Sequence, residues 1–206
     1  MQMKGNLDIL YEDDICLVLN KPAGLAVQGG KGVKVSLDKL FPVFLVHRLD
    51  RDTSGVILTA KNQKAAAYFS GVLKQAKKQY TAVCAGLFEK KEGTIKHDLE
   101  IKDKVKKAIT KYKVKSSGKI EKEDYTCDYT VLELELGTGR MHQIRRHLAI
   151  NGTPILGDDK YGNFSLNKTL RKTIGLKRLL LHASRLIIKD YNLDVSAPLP
   201  ESFGIK

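Results

Sequence analysis

The sequence lacks tryptophan, has only five prolines among its 206 residues, and contains no long apolar run. A transmembrane helix needs about 20 consecutive apolar residues, so no segment is predicted to span a membrane. No secretory signal pattern opens the chain, and no Pro- or Ser-rich stretch marks a linker. This length is ordinary for one domain, and we predict a single domain over residues 1–206.

Cysteine is also scarce. Cys16, Cys84 and Cys127 are odd in number and far apart, which argues against a disulfide framework and gives no zinc-ligand spacing. Each lies in an apolar or alternating stretch, where cysteine ordinarily serves as a small buried hydrophobic residue. We therefore expect a reducing, cytoplasmic location.

Negative charge is the third shortage. The chain has 36 Lys and Arg residues against 23 Asp and Glu, a net charge of +13, with a sequence pI of about 9.6. Such an excess attracts polyanions and speeds their encounter, and it favours RNA as the partner. An anionic membrane surface is the competing partner, but the lack of an apolar run or signal pattern argues against it.

The apolar pattern predicts a mixed α+β protein. The predicted strands cover residues 15–19, 44–46, 56–58, 80–85, 132–136 and 179–188. Helices are predicted from Asn62, a good N-cap, to about Lys77 and from about Met141 to Ile150. Hairpin-like neighbours outnumber β-α-β crossovers, which favours a mixed sheet over a doubly wound parallel one.

The segment from Lys102 to Lys122 holds nine lysines and few large apolar residues. A solvated β-excursion on the surface explains this composition. A flap that contacts RNA explains it as well, and the two interpretations are compatible.

A polar segment from His47 to Gly55 lies between two predicted apolar strands. Placing a histidine, two arginines and two aspartates there is costly unless these groups pair or function. A plain surface turn needs Asp, Asn or Gly rather than arginines close on both sides of Asp50. A salt-bridged turn is the structural alternative to a functional site.

A second polar segment opens the predicted helix at residues 141–150. The residues predicted to share one face of this helix, by their spacing, are His142, Arg145 and Arg146. The residues predicted to form its inner stripe are Met141, Ile144 and Leu148. The polar face could bind a carboxylate or a phosphate through bidentate guanidinium contacts. In the last predicted strand, His182 is interpreted as a core histidine with satisfied hydrogen bonds.

Two other chemistries receive little support. The residues that a metal site would have to use are His47, Asp50, His142, His147 and His182. They show no metal-ligand spacing, and neighbouring arginines repel a cation. A serine hydrolase would need a Gly-x-Ser-x-Gly elbow, which Ser54 and Ser70 lack. We expect no metal.

The segment from His47 to Gly55 closely resembles a motif of the RluA family of RNA pseudouridine synthases. Further motifs of that family match in order along nearly all 206 residues. They are Tyr11-Glu12-Asp13-Asp14, Leu19-Asn20-Lys21-Pro22-Ala23-Gly24, Lys78-Gln79-Tyr80-Thr81-Ala82, Gly137-Thr138-Gly139-Arg140-Met141-His142-Gln143-Ile144-Arg145, Gly152-Thr153-Pro154-Ile155, Gly157-Asp158, Tyr161-Gly162, Arg178-Leu179-Leu180-Leu181-His182-Ala183 and Ala197-Pro198-Leu199. Several long motifs in a fixed order are far more specific than one, so the chain is identified as a member of this family.

The resemblance implies a mixed, largely antiparallel sheet flanked by helices, with a central basic cleft. It also implies isomerisation of uridine to pseudouridine in structured RNA, without metal or organic cofactor. It implies that Asp50 is the catalytic aspartate and Arg145 its ion-pair partner. Tyr80 would lie against the target base, and Arg48 would hold the flipped-out state. Asp50 could attack C1′ of the ribose or abstract a ribose proton to give a glycal-like intermediate. Both routes remain open.

Within the family, Gln28-Gly29-Gly30 and residues 175–178 favour the branch that acts on large-subunit rRNA, and tRNA stays open as a substrate. Many relatives carry an S4-type RNA-binding module before the synthase domain. Here the opening motif begins close to Met1, so a minimal form or a catalytic fragment is expected. We expect a monomer. The alternatives from other classes are a non-catalytic RNA-binding or ribosome-assembly protein on this scaffold, and a basic domain that binds any polyanion.

Overall fold

The computed structural model describes residues 7–122 and 125–204. In this part of the chain two compact units are present. The first unit comprises residues 7–78 and 182–199, and the second comprises residues 79–122, 125–181 and 200–204. The single domain over residues 1–206 stays a prediction.

The strands and helices of the described residues are numbered in chain order. The strands are β1 (Ile9–Glu12), β2 (Cys16–Lys21), β3 (Phe44–Leu45), β4 (Ser54–Ala60), β5 (Lys77–Ala85), β6 (Glu92–Lys96), β7 (Leu99–Ile101), β8 (Lys104–Lys106), β9 (Ile109–Lys122), β10 (Tyr125–Leu136), β11 (Leu181–Ile188) and β12 (Leu193–Ser196). The helices are α1 (Leu37–Leu40), α2 (Gln63–Val72), α3 (Gln143–Ile150) and α4 (Phe164–Thr173), with 3-10 turns at Lys189–Tyr191 and Glu201–Phe203.

The first unit contains strands in the order β1-β2-β4-β11. The pairs β1–β2 and β2–β4 are antiparallel, and β4 and β11 are parallel where Ser54 faces His182. Strand β3 pairs antiparallel with the opposite end of β4, and β12 pairs antiparallel with β11. This part of the sheet is therefore mixed.

The core of the first unit follows from its continuous apolar strands. All seven residues of β4 are buried, as are the first four of β2, because a strand covered on both faces needs no polar alternation. Val18, Leu58 and Phe69 of α2 belong to one buried cluster. Cys16 lies in the same cluster, and Cys84 is also buried, which confirms the structural interpretation of these two cysteines. Cys127 is half-buried.

Helix α2 begins where the sequence predicts and ends earlier. The Asn62 side chain accepts a hydrogen bond from Ala65 N–H at 2.8 Å, as a helix N-cap does. The predicted end near Lys77 is wrong, since the helix ends at Val72 and Lys77 begins β5. Tight turns follow the helix, and Lys78 Nζ donates to the carbonyl of Leu73, so a lysine still binds a carbonyl at the helix end.

The second unit is built on the antiparallel strand order β5-β10-β9-β6, beside a separate β7–β8 hairpin. Strands β9 and β10 form the longest pairing, with one register shift at Val131 and Leu132. Together with the first unit this confirms an α+β fold with a mixed, largely antiparallel sheet. The central basic cleft stays a prediction.

Gly55 fixes the junction between the first polar segment and β4. Its φ is +109°, and a Cβ atom placed on it would lie 2.1 Å from the carbonyl oxygen of Ala183 on β11. No side chain fits at that distance, and the positive φ is unfavourable for any L residue. Glycine is therefore required for β11 to run directly beside the end of the Asp50 segment.

We predict that Gly55→Ala lowers the free energy of unfolding by about 3 kcal/mol or more, because overpacking and backbone strain add. The control is Gly71→Ala in α2, where an added Cβ meets no atom within 4 Å and is expected to stabilise by about 0.5–1 kcal/mol. Urea unfolding followed by circular dichroism measures both. Equal stabilities of the two variants would contradict the close packing of Gly55 on Ala183.

Candidate active site

Asp50 opens a β-turn between β3 and β4. The N–H of Thr53 donates to the carbonyl of Asp50 at 3.2 Å, which closes the turn. Leu49 is buried and Asp50 is half-buried, whereas Arg48 is exposed. The buried leucine and the closed turn fix the backbone that carries Asp50.

A buried lysine anchors this turn. Lys21 has no exposed surface, and its Nζ donates to the carbonyls of Pro22, Leu25 and Arg51 at 2.9, 2.8 and 2.9 Å. The N–H of Gly24 also donates to the Arg51 carbonyl at 2.9 Å. Sequence reasoning treated this stretch as a turn and missed the role of the lysine. The available signal was a lysine two residues after the apolar run at 15–19.

The two histidines of the first unit have structural contacts. His47 Nε2 accepts a hydrogen bond from Leu58 N–H at 2.9 Å. Burial, together with the charge of Lys78, lowers the pKa of His47 to about 4, so the ring is neutral at pH 7. His182 is fully buried and shares a 2.8 Å hydrogen bond between its Nδ1 and Ser54 Oγ, which confirms its interpretation as a satisfied core histidine.

The Asp50 turn is also partly salt-bridged, because Arg51 Nε lies 3.1 Å from Asp52 Oδ1.

In the second unit, Arg145 of α3 is buried in a bidentate ion pair. Its Nε and Nη2 donate to the two carboxylate oxygens of Asp158 at 2.8 and 2.7 Å, and Nη2 also reaches Asp159 at 3.2 Å. The guanidinium carbon lies 5.3 Å from the ring centroid of Tyr161. This geometry fixes the plane of the guanidinium.

Asp158 is held ionised by its contacts. Burial alone would raise the pKa of this carboxyl, but hydrogen bonds from Arg145 and from the N–H groups of Tyr161 and Lys160 outweigh burial and lower the pKa. Sequence reasoning missed this role of Asp158, although the residue belongs to one of the family motifs.

Two predictions about α3 are wrong. The helix begins at Gln143, so Met141 precedes it and is 52% exposed instead of lining the inner stripe. His142 also precedes the helix, in the left-handed conformation at φ 51°, and its Nδ1 lies 3.0 Å from Tyr161 Oη. Arg146 Nη1 donates to the carbonyl of Glu100 at 2.9 Å. Because Arg145 and Arg146 bind different partners and His142 lies before the helix, the three do not form one polar face.

Gln143 fixes the start of α3 through a saturated hydrogen-bond network. Its Oε1 accepts from Thr138 Oγ1 and from the N–H of Arg140, and its Nε2 donates to the carbonyl of Ile109 and to Thr110 Oγ1, at 2.7, 3.0, 2.9 and 3.0 Å. All four positions of the buried amide are thus used. Sequence reasoning missed this role, since the partners of Nε2, Ile109 and Thr110, lie 34 and 33 residues earlier along the chain.

His147 extends the network to the loop between β6 and β7. Its Nδ1 lies 2.9 Å from Thr110 Oγ1 and its Nε2 lies 2.9 Å from the carbonyl of His97. A carbonyl only accepts, so Nε2 carries the proton and the ring is held in one tautomer. Burial is the main reason that the pKa of His147 is lowered. Hydrogen bonds therefore join the helix that carries Arg145 to β9 and to the loop between β6 and β7.

Tyr80 lies in β5, opposite Leu134 of β10, and is 8% exposed. Of the four predicted site residues, Asp50 and Arg48 share one loop of the first unit, and Tyr80 and Arg145 belong to the second unit. The pairing of Asp50 with Arg145, and the position of Tyr80 beside them, stay predictions.

The lysine-rich segment is an exposed β-structure, as the solvated interpretation predicts. Lys111 and Lys115 of β9 each lie 3.7 Å from a glutamate of β10, Glu135 and Glu133 respectively. On the β7–β8 hairpin, Lys104 and Lys106 are exposed. No carboxylate of the described residues lies within salt-bridge distance of these two. The charges of Lys104 and Lys106 are therefore more available to a ligand than those of Lys111 and Lys115.

Two absences apply to the described residues only. Across residues 7–122 and 125–204, no group of three or more His, Cys, Asp or Glu side chains is arranged to hold a metal ion. In the same residues, no helix combines the length and apolar character needed to cross a membrane.

Comparison with known proteins gives a consistent result. The family model described as RNA pseudouridylate synthase matches residues 15–150. The chain is 35% identical to ribosomal large subunit pseudouridine synthase C of Rickettsia bellii, over 92% of this chain and 68% of that protein. It is 37% identical to the protein of the same name from Haemophilus ducreyi, over 85% of this chain and 59% of that protein.

A solved structure agrees in fold. The chain superimposes on human RNA pseudouridylate synthase domain containing 4 with a TM-score of 0.77 and 27% identity, covering 95% of this chain and 89% of that one.

We predict that Asp158→Ala lowers the free energy of unfolding at pH 7 by about 3–5 kcal/mol, because it leaves the Arg145 charge buried without its main partner. Asp159→Ala is the control, since that side chain is 60% exposed and should contribute at most about 1 kcal/mol. Urea unfolding measures both variants.

The stability difference between wild type and Asp158→Ala should also depend on pH. A lowered pKa stabilises the fold at neutral pH, and this contribution is lost as the pH falls below the ordinary carboxyl value towards the folded one. A difference that grows as the pH falls from 5 to 3 (roughly the range of carboxyl titration) would contradict the ion pair.

Proposed function

The chain belongs to the RNA pseudouridylate synthase family, and from that premise we propose that it isomerises uridine to pseudouridine in RNA, with Asp50 as the catalytic carboxylate. Large-subunit ribosomal RNA is the proposed substrate. Two relatives that are 35% and 37% identical to this chain are named ribosomal large subunit pseudouridine synthase C. The observation that carries the proposal is the position of Asp50 at the start of a closed turn. The buried Lys21 binds the backbone of this turn at the Arg51 carbonyl.

The chemistry requires a fixed carboxylate. The N1–C1′ bond must break, the uracil must turn while held, and C5 must bond C1′. The C5 proton is then lost and N1 gains a proton, so the composition is unchanged. Asp50 serves this sequence as a nucleophile at C1′ or as the base that removes a ribose proton. In either role its turn must not shift, and Lys21 prevents a shift by binding the Arg51 carbonyl next to it. The group is therefore positioned before substrate arrives.

We propose Arg145 as the cation that pairs with Asp50 in the active enzyme. A guanidinium has five N–H donors, and the bonds to Asp158 and Asp159 involve its Nε and Nη2. The Nη1 group is the proposed contact for Asp50. Asp158 would then act as an orienting residue, because it holds the guanidinium plane in one direction.

Tyr80 and Arg48 are proposed to contact the target nucleotide. The flat, mostly buried ring of Tyr80 offers a surface for the uracil, and the exposed Arg48 can enter the stack in place of the flipped base. Flipping costs a few kcal/mol, which phosphate contacts on a protein of charge +13 offset. The proposed enzyme works as a cytoplasmic monomer, without metal or organic cofactor.

We predict that Asp50→Asn abolishes pseudouridine formation, to below a few per cent of the wild-type rate, and leaves the Kd for RNA within about twofold. Asparagine keeps the shape of the side chain and cannot carry the negative charge. Asp52→Asn is the matched control, since Asp52 lies in the same turn and contacts the exposed Arg51. It should keep most of the activity.

Tritium release from C5-tritiated uridine in transcribed large-subunit rRNA measures the rate, and filter binding measures the Kd. An Asp50→Asn variant as active as Asp52→Asn would remove Asp50 from the chemistry. Intact binding with no turnover by the wild type would favour a non-catalytic RNA-binding protein.

The charge distribution predicts which lysines bind phosphate. Replacing Lys104 and Lys106 by alanine should reduce the slope of log affinity against log salt by about 0.7–0.9 per lost contact. The control pair, Lys111→Ala with Lys115→Ala, removes lysines that already contact glutamates and should change the slope little. Titrations of the same rRNA transcript at several salt concentrations test this. Equal slopes for the two double variants would exclude the β7–β8 hairpin as an RNA contact.

A further inference from the structure

Thr53 closes the turn that Asp50 opens, and its hydroxyl is buried. The residue is 2% exposed, and its N–H donates to the Asp50 carbonyl. Across residues 7–122 and 125–204, Thr53 Oγ1 makes no hydrogen bond. A buried hydroxyl without a partner is unfavourable, whereas valine, of the same shape, would carry no such penalty.

The backbone on either side of Thr53 is fixed. Two residues before it, the Arg51 carbonyl accepts from Lys21 Nζ and from the N–H of Gly24. One residue after it, Ser54 Oγ is hydrogen-bonded to the buried His182. The backbone of the turn is therefore fixed, and the hydroxyl can gain a partner only if another side chain or a ligand approaches it.

The Asp50 carboxylate is the group best placed to do so. A side chain at the first position of a turn reaches donors at the third and fourth positions. Asp50 is the first residue of this turn and Thr53 is the fourth. Asp50 is half-buried, so it still contacts solvent. A nucleotide that covers this carboxylate excludes solvent from it, and an additional fixed donor then stabilises its charge.

We propose that Thr53 is a positioning residue whose hydroxyl donates to the Asp50 carboxylate in the enzyme–RNA complex. This inference rests on the proposed function, since it assumes that Asp50 acts on a bound nucleotide. The hydroxyl orients the carboxylate towards C1′ or the ribose proton and contributes nothing to the folded protein alone.

The test compares Thr53→Ser, Thr53→Ala and Thr53→Val with the wild type on C5-tritiated large-subunit rRNA transcript. Serine and alanine lack the same methyl group and differ only in the hydroxyl, so this pair remains decisive if the valine variant does not fold. We expect Thr53→Ser to keep kcat within about threefold, and Thr53→Ala and Thr53→Val to lower kcat about tenfold or more. KM should stay within about twofold in all three, and the Tm of Thr53→Val should equal or exceed that of the wild type.

Two results would overturn the inference. Equal kcat values for the serine and alanine variants would show that the hydroxyl has no role in turnover. A Tm of Thr53→Val several degrees below the wild type would show a structural hydrogen bond instead. A wild type that releases no tritium refutes the proposed function and this inference with it, whereas an active wild type with matching serine and alanine variants refutes the role of Thr53 alone.

Discussion

The ammonium group of Lys21 has no exposed surface, and three backbone carbonyls surround it. A buried cation is tolerated only when its donors are satisfied, so the loop at Pro22 to Leu25 and the Asp50 turn must both fold around it. The Asp50 turn determines where β4 begins, and Gly55 allows β11 to lie directly against the start of β4. The position of the carboxylate thus depends on one lysine that lies 29 residues earlier in the chain than Asp50.

The second unit handles a buried cation differently. Arg145 is matched by a carboxylate, Asp158, whose remaining oxygen sites accept backbone N–H groups. Gln143 and His147 hold the helix itself through neutral hydrogen bonds. A guanidinium fixed in this way has a defined direction before any substrate binds, which is what electrostatic preorganisation requires. The proposed partnership of Asp50 and Arg145 joins two groups that are each immobilised by their own surroundings.

Much of this fold could be predicted from the sequence, because strong apolar runs and a good N-cap are local signals. The strands around Val18 and Leu58 and the start of α2 at Asn62 are of this kind. The predicted end of α2 was too late because the apolar spacing continues beyond the last residue of the helix. The predicted start of α3 was too early because the apolar spacing begins before the first residue of the helix. Met141 keeps the helical spacing although it lies outside the helix.

The contacts of the site were harder to predict. Lys21 with Arg51, and Gln143 with Thr110, join residues about 30 positions apart, and no periodicity reports such pairs. Asp158 is closer to Arg145, but a bidentate pair depends on the path of the intervening loop. The resemblance to a family supplied Asp50, Arg48, Tyr80 and Arg145 as candidates, while the residues that position them emerged only from the three-dimensional structure.

The central claim is that this chain makes pseudouridine in large-subunit rRNA. The most direct measurement is pseudouridine mapping at single-nucleotide resolution, on unmodified rRNA and tRNA transcripts incubated together with the purified protein. The account predicts new pseudouridine at one or a few uridines of the large-subunit RNA and none in a parallel sample without protein. RNA that is bound by the protein and carries no new pseudouridine at any position would contradict it.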